Sequence, residues 1–258
     1  MKYKVIDGKG IIPDGTNEIA ESAFKGCTRL QSIVIPGSVT VIGSEAFSGC
    51  TSLQSIVIPD SVTRINYSAF SGCNNLTSII VSKNNSRYKS TNNCILTKDG
   101  KKLILCRSHN IPDSVTMIGD WAFKGCTSLQ SIIIPDRVTS IGWAAFWGCT
   151  SLQSIVIPDS VTVIGGSAFS CTSLQSIVIP NGETRIDTST FEGCGGLQSI
   201  VIPDSVKEIG ESAFSYCTSL QSIEIPDSVT KIKSHAFYGC IYNHRTTKTN
   251  QKYPSVNL

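Results

Sequence analysis

The sequence predicts an α/β-type solenoid: each coil contributes one short parallel strand and returns through a compact turn or short helical turn, with one β-hairpin inserted partway. Three observations carry this expectation. All nine phenylalanines fall in one register (Phe24, Phe47, Phe70, Phe123, Phe146, Phe169, Phe191, Phe214 and Phe237), with steps of 23, 23, 53, 23, 23, 22, 23 and 23 residues. Within the period, an alternating Leu-x-x-Ile-x-Ile segment ends on proline, as at Pro59, Pro135, Pro158, Pro203 and Pro226. The step of 53 is one period plus 30 residues, and it holds Asp99-Gly100 between two apolar runs, the strongest short-range hairpin signal.

The unit is well represented by residues 53–73, Leu-Gln-Ser-Ile-Val-Ile-Pro-Asp-Ser-Val-Thr-Arg-Ile-Asn-Tyr-Ser-Ala-Phe-Ser-Gly-Cys. Its first part alternates and is β-branched, which suits a strand. Proline ends the strand's hydrogen bonding, and Asp-Ser after it suits a turn. The second part is too short for an independent helix and carries a glycine near its end. No single unit can bury Leu53, Ile56, Ile58, Val62, Ile65, Ala69, Phe70 and Cys73; stacking like units does. The expected organisation is a cap strand over 1–12, a solenoid of nine repeats over 12–240 with an insert at 82–111, and a basic, mobile tail over 241–258.

The pattern Leu-x-x-Ile-x-Ile-Pro-x-x-Val-x-x-Ile-x-x-x-Ala-Phe-x-x-Cys closely resembles the BspA-like leucine-rich repeat with its 23-residue unit, over about residues 12–240. The resemblance implies a leucine-rich repeat solenoid at a cell surface or secreted, acting as an adhesin or host-protein binder, with an extracellular-matrix or other host protein as partner. The N-terminus, Met-Lys-Tyr-Lys-Val-Ile-Asp-Gly, has no apolar stretch of the signal-peptide kind. That favours the alternative reading, an intracellular, cytoplasmic structural or scaffolding repeat protein.

Composition narrows the function classes. Charged residues are 16% of the 258, against about 25% in a typical soluble domain, so the basicity of a nucleic-acid binder is missing. No apolar run approaches the roughly 18–20 residues of a membrane span. The net charge of +3 is unevenly placed: residues 82–111 hold seven bases and one acid, 241–258 three bases and no acid, and the remainder stands at −6.

Catalysis needs a few unlike groups converging in a pocket, whereas here the reactive types recur once per coil. His109, His235 and His244 have no local partner arrangement suggesting a triad, and no phosphate-binding glycine loop occurs. We therefore expect no catalytic residues, no metal and no cofactor. Nine of the eleven cysteines (Cys27, Cys50, Cys73, Cys126, Cys149, Cys171, Cys194, Cys217 and Cys240) read as one inward-facing column of free thiols, a structural ladder with the phenylalanines: Phe47 with Cys50, Phe70 with Cys73, Phe146 with Cys149, Phe214 with Cys217. The Asp column (Asp14, Asp60, Asp113, Asp136, Asp159, Asp204, Asp227) lacks the glycine-rich loop of a calcium roll and reads as turn residues.

The hairpin is expected at 94–98 and 101–106. A two-residue Asp99-Gly100 turn pairs Leu96 with Leu103, Ile95 with Ile104 and Cys94 with Leu105, which puts Cys94 and Cys106 on opposite faces and unbonded. The insert's basic residues (Arg87, Lys98, Lys101, Lys102 and Arg107) form one candidate partner site; the plainer reading is a solvated loop. The other candidate is the outward strand face, since alternation points Ser55 and Val57 outward if Ile56 and Ile58 point in. Its members are Ser55, Val57, Ile80, Ser131, Ile133, Ser154, Val156, Ser176, Val178, Ser199 and Val201, flanked by Ser32, Val34, Ser78, Ser222 and Glu224. So uniform an aliphatic stripe suits a protein partner, a repetitive one, or self-association. Trp121, Trp143 and Trp147 could form an aromatic patch; surface packing between coils is the plainer reading.

Overall fold

The computed structural model describes residues 3–241, so the expected tail lies, from residue 242, outside the described residues. Two compact units are distinguished, Met1–Val115 with Trp121–Cys126, and Thr116–Asp120 with Thr127–Leu258. Both are stacks of coils with the predicted 23-residue period. In the first unit, strands at Ser32–Ile33, Ser55–Ile58 and Ser78–Val81 form one column. In the second, Ser131–Ile133, Ser154–Val156, Ser176–Val178 and Ser199–Val201 form its counterpart. Pairing is parallel and in register, Ser55 with Ser78 and Ile80 with Val57, Ser131 with Ser154 and Ile133 with Val156.

The return segment departs from expectation. Among the described residues none is helical, and most coils carry a second, two-residue strand at Val-Thr-x-Ile, as at Val41–Ile42 and Arg64–Ile65, or Ser140–Ile141 and Val163–Ile164. Between the two strands the chain turns at the proline, closed by the valine N–H on the proline carbonyl (Val62 to Pro59, 3.2 Å; Val161 to Pro158, 3.0 Å).

A helix fails to form because alternate N–H groups are drawn to the neighbouring coil. The amides of Ala46, Ser48 and Cys50 bond three residues back within their turns, while those of Glu45, Phe47 and Gly49 donate to Tyr67, Ala69 and Ser71 of the next coil. The pattern needs left-handed backbone two residues either side of each phenylalanine. Glu45 (φ 54°) and Gly49 (φ 73°) are one such pair, and every other phenylalanine is flanked likewise.

Buried phenylalanines run through each unit. Phe24, Phe47 and Phe70 stack with centroids 5.3 and 5.2 Å apart, and Phe146, Phe169, Phe191, Phe214 and Phe237 stack at 5.3 to 5.6 Å. The first column is closed by more than the single strand expected. Lys4–Ile6 and Lys9–Ile11 form an antiparallel hairpin paired onto Ser32–Ile33, and Tyr3 lays its ring on Phe24 at 5.4 Å.

The cysteine column has a hydrogen-bonding role that residue spacing does not announce. Five of the thiols donate to the phenylalanine carbonyl of the preceding coil: Cys50 to Phe24 (3.1 Å), Cys73 to Phe47 (3.0 Å), Cys194 to Phe169 (3.1 Å), Cys217 to Phe191 (3.2 Å) and Cys240 to Phe214 (3.1 Å); Cys126 donates instead to the Cys106 carbonyl. Burial pushes the Cys50 thiol up to about 12 and those of Cys73 and Cys194 up to about 11, so these groups stay protonated and unreactive.

Cys171 is not a member of this column. It occupies the left-handed glycine position (φ 57°) and is exposed, and Thr172 fills the buried slot, its hydroxyl on the Phe169 carbonyl at 2.8 Å. The missing residue of the 22-residue step therefore lies after Thr172, not before the cysteine.

The insert also differs. It has three strands, Tyr88–Thr91, Cys94–Thr97 and Lys102–Cys106, each paired antiparallel to the next. Leu96 faces Leu103 as predicted, but a bulge between Ile95 and Leu96 then shifts the pairing, so that Ile95 faces Leu105 and Cys94 faces Cys106. A one-residue shift exchanges the faces of a strand, and the two cysteines form the disulfide that simple register arithmetic forbids.

The thiol inventory follows. Denatured but unreduced protein should titrate nine thiols, and eleven after reduction; in the native state Cys171 should react first, with Cys171→Ser removing that fast phase. Eleven thiols without reductant would contradict the Cys94–Cys106 bond.

Candidate functional site

The strand face is built by alternation. Ile56, Ile58 and Ile79 in the first unit, and Ile132, Ile155, Ile177 and Ile200 in the second, are buried. Their neighbours on the other face are not. Val34, Val57 and Ile80, then Ile133, Val156, Val178 and Val201, are 52 to 81% exposed. Ser55, Ser131, Ser154, Ser176 and Ser199 are exposed beside them, and Ser78 is half-buried. In-register pairing aligns like residues, so each unit presents a serine row and an aliphatic row at the strand spacing of about 4.8 Å. The ladder positions Phe47, Cys50, Phe70, Cys73, Phe146, Cys149, Phe214 and Cys217 are all buried.

The basic insert is less free than its composition suggests. The Lys98 ammonium donates to the Asn85 and Lys83 carbonyls at 2.6 and 3.2 Å. The Arg107 guanidinium reaches the Phe70 carbonyl at 2.5 Å, the Cys106 carbonyl at 3.1 Å and the Cys126 sulfur at 2.7 Å, tying the insert to the stack. Lys102 is half-buried; Arg87 and Lys101 are exposed. Lys98 and Arg107 are thus engaged by the protein itself.

Asn85 organises this region. It is fully buried, its amide donates to the Pro59 and Val62 carbonyls at 2.8 and 2.9 Å, and its oxygen accepts from the Arg87 and Tyr88 amides at 2.9 and 2.8 Å. Among several asparagines in a polar stretch, no sequence signal singled it out.

Glu183 is the second residue missed, and here a signal existed: it stands where other coils place valine. It is buried. Its carboxylate accepts from Ile164 at 2.6 Å, across a gap where Val163–Ile164 and Arg185–Ile186 do not pair, and from Thr184 and Arg185 at 3.0 and 3.2 Å. Burial pushes the carboxyl above its usual 4.5, and the Asp187 charge adds to this, against the opposing backbone bonds. A raised folded-state value means that the stability this group contributes is full below 4.5 and is lost as pH rises through the folded value. The stability of wild type relative to Glu183→Gln should therefore fall as pH rises above about 4.5, read from urea midpoints; a difference independent of pH would refute the assignment.

The tryptophans are placed by packing. Trp143 is half-exposed with its indole against Gly166 of the next coil, where an added Cβ would lie 3.2 Å from the ring. Trp121 carries the Lys124 ammonium 4.1 Å above its ring. Among the described residues no group of three or more His, Cys, Asp and Glu side chains could hold a metal ion, and no helix is long and apolar enough to cross a membrane. His244 lies outside the described residues.

The model of the BspA type leucine rich repeat region matches residues 9–98, 102–220 and 184–256, in six copies. A leucine rich cell surface protein from Faecalibacterium prausnitzii A2-165 is similar in structure, with 39% identity and a TM-score of 0.70 over 83% of this chain; the match spans only 58% of that protein's solved chain. A leucine-rich repeat protein from Bacteroides ovatus is 31% identical with a TM-score of 0.53, covering 89% of this chain and 70% of its own. One from Eubacterium ventriosum is 26% identical with a TM-score of 0.62, covering 91% and 83%. The comparison with curated proteins finds no match. Repeat, coil architecture and relatives agree, and the chain belongs to the BspA-type leucine-rich repeat family.

Proposed function

We propose that this protein is a non-catalytic protein-binding solenoid acting at a cell surface, as an adhesin or binder of host proteins, through the serine and aliphatic rows of its strand face. The observation that carries the reading is the exposure of an aliphatic row in each unit, where the isoleucines that alternate with it (Ile56, Ile79, Ile132, Ile155, Ile177 and Ile200) are buried. Apolar rows of this extent are the exception on a soluble surface and mark interaction sites. Two further facts support it. A relative with 39% identity is described as a leucine rich cell surface protein. The Cys94–Cys106 disulfide suits an oxidising, extracytoplasmic compartment.

Uniformity from coil to coil suits an elongated partner contacted at several weak points. The test is capture from extracellular-matrix and plasma proteins by wild type and by Val156→Lys with Val178→Lys. Both positions point to solvent, so the variant should keep its melting temperature and lose capture by at least about tenfold, with little dependence on salt. Equal capture by the variant would remove the strand face; capture by neither, in the presence of folded protein, would sink the adhesin reading.

A further inference from the structure

The strand-face reading leaves the charge of the molecule unexplained. Over the described residues the first unit holds 13 bases against 8 acids, a net +5, while the second holds 5 bases against 11 acids, a net −6. The two signs are segregated between units rather than interspersed.

On the first unit the excess is concentrated at one corner of the insert, and that corner is rigid. Asn85 pins the loop 82–88 to the stack through the Pro59 and Val62 carbonyls. The Lys98 amide bonds the Arg87 carbonyl at 2.8 Å, and its ammonium caps the Lys83 and Asn85 carbonyls. Lys83, Arg87 and Lys101 are thereby presented to solvent on an ordered frame. Asp99, the one acid within 82–111, is engaged: its carboxylate accepts the Thr97 hydroxyl at 2.6 Å and the Lys101 amide at 3.0 Å; Asp60 and Asp113 lie in the neighbouring turns to which the insert is bonded. On the second unit the turn after each proline exposes Asp136, Asp159, Asp204 and Asp227. They form a ridge along the stack at coil spacing, with Asn181 in the one intervening coil and Arg137 and Lys207 as the nearby bases.

We propose that the basic corner of the insert docks on the aspartate ridge of a second copy of this chain. The charges are opposite in sign and similar in size, both elements are preformed, and a preformed contact avoids the ordering cost that weakens most surface ion pairs. The contact is heterologous, joining unlike surfaces of identical molecules. At physiological ionic strength charges are screened beyond about 8 Å, so local complementarity outweighs the modest net charge of each chain.

The experiment is sedimentation velocity of the full chain over a concentration series, from roughly 0.02 to 0.5 M salt, with two charge-reversed variants. One carries Lys83→Glu, Arg87→Glu and Lys101→Glu; the other carries Asp136→Lys, Asp159→Lys and Asp204→Lys. All six side chains are exposed, and circular dichroism confirms that each variant is folded. Wild type should associate at low salt and dissociate at high salt. Each variant alone should be monomeric, and mixing the two should restore a complex, because reversing both sides recreates opposite signs. Three results overturn the proposal: a wild type that stays monomeric at low salt, association that survives either reversal, or variants that fail to restore one another when mixed.

Discussion

Replacing Asn85 by alanine should lower the stability of the first unit by about 3–5 kcal/mol, more than any other single polar substitution in the insert. The magnitude follows from the accounting of partners. One buried side chain satisfies two carbonyls, Pro59 and Val62, and two amides, Arg87 and Tyr88. Alanine would leave all four facing a small cavity, and each unsatisfied buried group costs about 1–3 kcal/mol before relaxation or entry of water. The Lys98 ammonium would then lose the ordered Asn85 carbonyl that it caps. Urea unfolding gives the energy, and hydrogen exchange at Arg87 and Tyr88 localises it. Asn84→Ala, at the exposed neighbour, should stay within about 0.5 kcal/mol of wild type. Comparable effects from both substitutions would show that Asn85 is not the anchor of the loop.

Phe47→Ala should cost a similar amount, about 3–5 kcal/mol, for an apolar reason. Phe47 has no exposed surface and lies between Phe24 and Phe70, with ring centroids 5.3 and 5.2 Å away. Truncation opens a cavity bordered by two other coils, and their main chains are fixed to one another by the Phe47 amide on Ala69 and the Phe24 amide on Ala46. That framework cannot close around the hole. Phe47→Leu should recover more than half of the loss. If the alanine variant loses less than about 1 kcal/mol, the ring stack is not what holds the coils together.

The repeat itself was legible because its constraints are one-dimensional. A strand buried on one face must alternate, and a column of identical contacts must recur at one spacing, so the nine phenylalanines and the Leu-x-x-Ile-x-Ile segment disclosed the solenoid and the exposed face together. What escaped the reading depends on hydrogen bonds between coils. The return segment has the length and glycine of a helical turn, but half of its amides are satisfied by the next coil, which composition cannot reveal. The Cys94–Cys106 bond turned on a bulge at Ile95–Leu96 that undoes the parity argument from the Asp99-Gly100 turn. Cys171 was misplaced because a gap in a repeat can be closed on either side of a residue; backbone φ and the buried Thr172 decide it. Lys98 and Arg107 looked like free cations because sequence shows charge and not the carbonyls that charge is bonded to.

The strand face as the partner-binding surface is the central functional claim. Its most direct test is carbene footprinting of the protein alone and in complex with a captured matrix or plasma protein. Protection confined to the exposed rows, at Val156, Val178 and Val201 with their serines, is the predicted result. Labelling of those rows unchanged by the partner, with protection on the return segments or the insert instead, would contradict it.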